Sequence, residues 1–156
     1  MKSKARLFGH PIHQMLIVFP LGLLATAVVF DLVYLFTEWT QVNIAAYWVL
    51  SAGLIGVLVA APFGLIDWLA IPAGTRAKRI GLLHGGGNLV VGALFLLSWW
   101  LREPLLSPST LALVLSFGGA GLALFTAWLG GELVARLGVG VYEDAGLNAS
   151  SSLHLE

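Results

Sequence analysis

MLIVFPLGLLATAVVFDLVYLF, Met15 to Phe36, carries one charge, Asp31, in a run as long as the roughly 20 apolar residues a helix needs to cross a bilayer. Three further runs follow, from about Ile44 to Leu69, Ile80 to Leu101 and Leu111 to Val134. Pro104, Pro108, Ser107, Ser109 and Thr110 separate the last two and read as a turn. The chain is thus predicted to be an all-α integral membrane four-helix bundle over residues 1–141, with spans at about 15–36, 44–69, 80–101 and 111–134. Residues 142–156 lose hydrophobicity and gain Ser, Gly and Asn, and are expected to form a disordered tail. The closing Leu155-Glu156 can be read as an appended remnant, and His154 is given no role.

Composition agrees with this reading. The 156 residues are 58% hydrophobic and 10% charged, whereas soluble domains carry about 25% Asp, Glu, Lys and Arg. Four spans consume nearly the whole chain, leaving no room for a second domain. Without cysteine there are no disulfides, thiolate ligands or iron–sulfur ligands, so His, Asp, Glu and Met remain as metal ligands. A net charge of zero and the lack of a long basic run exclude nucleic acid as a partner. Met1–Arg6 followed by an apolar run imitates a secretory signal, with Ala25-Thr26-Ala27 as its cleavage site. The run continues past that site to Phe36, however, and is read as an uncleaved first helix.

Lys2, Lys4 and Arg6 precede the first span, Arg76, Lys78 and Arg79 lie between the second and third, and Arg136 follows the fourth; only Arg102 sits in the other loops. The positive-inside rule then places both termini in the cytoplasm, with the bilayer itself as the first partner. Two small-residue stripes at helical spacing, Gly53/Gly56/Ala60/Gly64 and Ala120/Ala123/Ala127/Gly131, are expected to be helix contacts. Pro20 and Pro62 are expected to kink their helices.

With this topology His10, His13, Asp67, His84 and Glu132 fall in one layer at the cytoplasmic end. Ionisable groups within a span cost about 2.5–3.5 kcal/mol each on insertion scales, so mutual pairing or a bound ion is expected. His10 and His13 flank Pro11, a favoured first helical residue, and are expected to share a face. His84 and Asn88, four apart, share another. At the far end Asp31, about 27 Å from His13 by helical rise, is expected to pair with Arg102.

His10-Pro11-x-His13, Asp67-Trp68, His84 with Asn88, Gly130-Gly131-Glu132-Leu133-Val134 and Gly138-Val139-Gly140-Val141 occur in the order in which this chain resembles the family known as domain of unknown function 2231, from about Phe8 to Val141. The resemblance implies a small bacterial four-helix protein of the inner membrane. Family members occur alone or joined to a Rieske iron–sulfur domain, which implies membrane redox chemistry and a Rieske-type partner. The layout is similar to that of b-type cytochromes. Leu137 stands where relatives often carry a further His.

Three functions are compatible with these residues. The first is a b-type haem site for electron transfer, with His13 and His84 as axial ligands from parallel, diagonal helices. His10 is an alternative ligand, Asn88 a tuning residue, Gly85–Gly87 would give room, and Arg6, Arg76, Lys78 and Arg79 would meet the propionates. The second is a zinc or iron site built from His10, His13 and His84 with Asp67 or Glu132. The third is a structural or docking subunit, or a small transporter working as a homo-oligomer. No nucleotide-binding loop or catalytic Ser or Cys arrangement supports an enzyme.

Overall fold

A computed structural model describes residues 1–154. Four long helices dominate it: α1 (Ile12–Thr37), α2 (Thr40–Ala70), α3 (Arg76–Trp100) and α4 (Thr110–Arg136), each apolar and long enough to span a membrane. Only 17–28% of each apolar window is buried within the protein. Leu58, Leu89 and Leu124 are among the large apolar side chains that face outward, as lipid contact requires. A two-stranded hairpin, β1 (Arg6–Leu7) with β2 (His10–Pro11), precedes α1. Beyond α4, residues 142–154 form turns and a short 3-10 turn over Ser152–His154; the expectation about Leu155-Glu156 lies outside the described residues.

The helices start earlier than apolar runs alone indicate, because polar residues cap or continue them. Thr75 Oγ1 accepts from Lys78 N, and Ser109 Oγ accepts from Ala112 N, so α3 begins at Arg76 and α4 at Thr110. Pro20 cannot donate to the carbonyl of Leu16, and α1 breaks for one residue at Ile17. α2 runs through Pro62 without interruption. The final turn of α4, Glu132–Arg136, is π-helical.

The chain packs as two hairpins, α1 on α2 and α3 on α4, and the two are related by an approximate two-fold. The buried residues of α1, Pro20, Leu24, Ala27 and Asp31, correspond one for one to Val91, Phe95 and Ser98 of α3 and to Arg102 just beyond its end, at the same constant separation that relates His13 to His84. Ala46, Leu50, Gly53 and Ala60 of α2 correspond to Ala112, Ser116, Gly119 and Thr126 of α4 at a second, slightly shorter constant separation. Contacts repeat too. A Cβ on Gly53 would lie 2.6 Å from Leu24, and one on Gly119 would lie 3.1 Å from Phe95. α1 and α3 run the same way, so the two-fold lies along the bundle, as in membrane proteins built from parallel repeats.

Gly53, Gly56, Ala60 and Gly64 form the contact face of α2, against Leu24, Pro20 and His13. On α4 the contact face is Gly119, Thr126 and Gly130. Ala127 and Gly131, expected there from spacing, are exposed. Both stripes have helical periodicity, and only the neighbour's position tells which one is covered.

Candidate functional site

Asp31 of α1 and Arg102, just past the end of α3, occupy equivalent positions in the two hairpins and meet at the end of the bundle opposite the termini, as the sequence indicates. Both are almost wholly buried. The guanidinium grips the carboxylate with two nitrogens, the Arg102 Nη2 contact with Asp31 Oδ2 being 2.7 Å. Ser116 Oγ donates to the same carboxylate oxygen at 2.7 Å, and Ser98 Oγ accepts from Arg102 and donates to the Ala112 carbonyl. Every group has partners, so this centre reads as a structural lock.

The five-residue layer at the terminal end is not one cluster. Asp67 accepts from Ser3 Oγ at 2.7 and 2.8 Å and from the Lys4 amide at 2.8 Å, and so fastens the N-terminal segment over the end of α2. Glu132 pairs with Arg76 at 2.7 Å. His10 lies in β2, outside the helix, because Pro11 is the extended N-cap of α1 and not its first residue. Its ring is exposed and lies 3.2 Å from Ser152 Oγ, so it shares no helix face with His13. Among the described residues no three His, Cys, Asp or Glu side chains converge as a metal site would require. The set His10, His13, His84 with Asp67 or Glu132 is therefore not assembled.

What remains is His13 and His84, at equivalent positions on α1 and α3. His13 Nδ1 lies 3.0 Å from the Ala60 carbonyl oxygen of α2, and His84 Nδ1 lies 2.8 Å from the Thr126 carbonyl oxygen of α4. A carbonyl only accepts, so each Nδ1 carries a proton, and in the neutral form of either ring the lone pair is on Nε2. Each ring reaches its carbonyl by lying over a glycine one turn on. A Cβ at Gly64 would be 2.7 Å from His13 Cε1, and one at Gly130 would be 3.1 Å from His84 Cε1. Sequence reasoning found the histidines but missed these two carbonyls and the glycines that uncover them; the shared spacing Ala60/Gly64 and Thr126/Gly130 was the available signal.

Asn88 stands beside His84, with Nδ2 3.2 Å from Nε2, and its Oδ1 is 2.9 Å from Thr126 Oγ1. Of the glycines expected to make room nearby, Gly85 and Gly86 face open space, and Gly87 packs on the Thr126 methyl. Of the expected propionate partners, Arg6 bonds Tyr142, Arg76 pairs with Glu132, and Lys78 donates to the Trp68 carbonyl while lying over its ring.

The two hairpins therefore each carry one half-buried imidazole, at equivalent positions of a membrane-spanning four-helix bundle. No curated protein and no solved structure matches the chain. The family model described as "Predicted membrane protein (DUF2231)" matches residues 9–143, and the chain belongs to that family.

Proposed function

We propose that this protein binds a b-type haem in the bilayer through His13 and His84 and passes electrons near the cytoplasmic face. The observation that carries the reading is the matched tautomer. Both rings donate Nδ1–H to a helix carbonyl, the outer-sphere contact that metal-ligating histidines characteristically make, which turns Nε2 into the ligating nitrogen, open on His13 and held by the Asn88 amide on His84. His13 and His84, one on either side of the two-fold, would hold the group with side chains of equal kind. Haem supplies one-electron chemistry; the protein supplies the ligands, a low-dielectric surrounding and a fixed ring orientation. Lys and Arg gather at the terminal end, which by the positive-inside rule faces the cytoplasm of a bacterial inner membrane. A Rieske-type protein is the expected exchange partner, on the family resemblance.

The test is an absorption spectrum of protein purified in mild detergent from cells supplied with iron and a haem precursor. A Soret band with sharp reduced-state bands is expected in the parent chain and in His10→Ala, and is expected to be lost in His13→Ala and His84→Ala. Absence of the band from the parent chain overturns the reading. One observation favours a second reading, a purely structural subunit: among the described residues every buried side-chain nitrogen and oxygen already has a hydrogen-bond partner. Under that reading neither haem nor stoichiometric metal accompanies the protein.

A further inference from the structure

The two-fold makes a direct comparison of the histidines possible, and they differ in one respect. Around His84 three hydrogen bonds close a ring. Asn88 Oδ1 can only accept, and it faces the Thr126 hydroxyl at 2.9 Å, whose proton it shares with the Ala123 carbonyl at 3.0 Å; this turns the amide nitrogen toward His84. Nδ2 then donates to the Nε2 lone pair, and Nδ1–H returns to the Thr126 carbonyl. The loop starts and ends on Thr126. At His13 the residue equivalent to Asn88 is Ile17, which has nothing to donate. His13 Nε2 makes no hydrogen bond among the described residues, and since no buried polar side-chain atom there lacks a partner, it is not enclosed.

We propose that Asn88 is a latch on His84, so that His13 is the open ligand position and His84 accepts a ligand only after the amide of Asn88 lets go. Asn88 is a positioning residue in this scheme and acts through His84. The order of ligation, His13 first, rests on the histidine pair being a cofactor site; the latch itself does not. A transition-metal centre entering the bundle would bind His13 alone and then compete with the Asn88 amide for His84.

The latch is tested on the full chain in detergent, without cofactor, by diethyl pyrocarbonate, which acylates the unprotonated imidazole nitrogen, with each histidine followed by peptide mass spectrometry. In the parent chain His13 is expected to react about fivefold faster than His84, the factor that one hydrogen bond of ordinary strength provides. In Asn88→Leu, which removes the donor, and in Thr126→Val, which leaves Asn88 in place and removes the hydroxyl that aims it, the His84 rate is expected to approach that of His13. His13, measured in the same molecules, reports any general loosening and should keep its rate. Equal rates in the parent chain, or a His84 rate unmoved in both variants, overturn the latch. A latch that holds in protein without a Soret band separates this inference from the haem reading, and a Soret band in protein whose histidines react equally does the reverse.

Discussion

The α1–α2 and α3–α4 hairpins solve one packing problem with different side chains. In both, a glycine admits a large apolar side chain from the partner helix: Leu24 over Gly53, and the bulkier Phe95 over Gly119. In both, a histidine crosses to a carbonyl over a glycine. Their equivalent polar positions have diverged, with Asp31 against Arg102, Ala27 against Ser98, Leu50 against Ser116 and Ile17 against Asn88. The shared positions hold backbones together in lipid, where close approach replaces the hydrophobic drive of water. The divergent ones decide what chemistry the bundle contains.

The largest break in this comparison is at the ion pair. Asp31→Ala or Arg102→Ala leaves an uncompensated buried charge, and each is expected to cost about 3–5 kcal/mol. The loss would be read as a lowered melting temperature in detergent, or as failure to purify as a single species. The Asp31→Ala/Arg102→Ala double variant removes both charges and should recover much of that loss. Next is the apolar contact: Gly53→Ala overpacks against Leu24 and is expected to cost about 1–3 kcal/mol. Gly119→Ala, facing the rim of Phe95 at 3.1 Å, should cost less. Gly22→Ala and Gly118→Ala, with open space at their Cβ positions, should leave the melting temperature unchanged or raise it.

Smaller effects sharpen the contrast between the histidines. Gly64→Ala pushes the His13 ring from the Ala60 carbonyl at a cost of about 1 kcal/mol, the net worth of an ordinary hydrogen bond, and should depress haem content more than Gly130→Ala does. Smallest is Arg76→Gln. Its partner Glu132 is joined through a half-exposed guanidinium, and the change is expected to stay within about 1 kcal/mol and to fade in high salt. That outcome, set beside Arg102→Ala, measures what burial adds to the same pair of charges.

Much of the candidate site was readable because ionisable residues are rare inside apolar runs, so His13, His84, Asp67 and Glu132 stood out on composition alone. Their separation into different centres was not readable. Asp67 is held by Ser3 and Lys4, which a hairpin folds back onto it, and His10 is turned away by Pro11 taking the cap position. The Asp31–Arg102 pair was foreseen because Asp31 is a charge inside a span near the far end, where Arg102 is the one Lys or Arg that the sequence offers. The two-fold left little trace in residue identity, since Leu24 matches Phe95 and Asp31 matches Arg102; it emerges when buried positions are compared.

By itself the sequence determined four membrane-crossing helices, their approximate limits and the depth of each polar residue, because transfer of apolar and charged groups between water and lipid depends chiefly on composition along the chain. Only the tertiary structure decided which faces meet, which histidines belong together, and that Asn88 closes on one and not the other. Those outcomes depend on where a neighbouring helix places a carbonyl or a glycine, and that neighbour lies dozens of residues away in the chain.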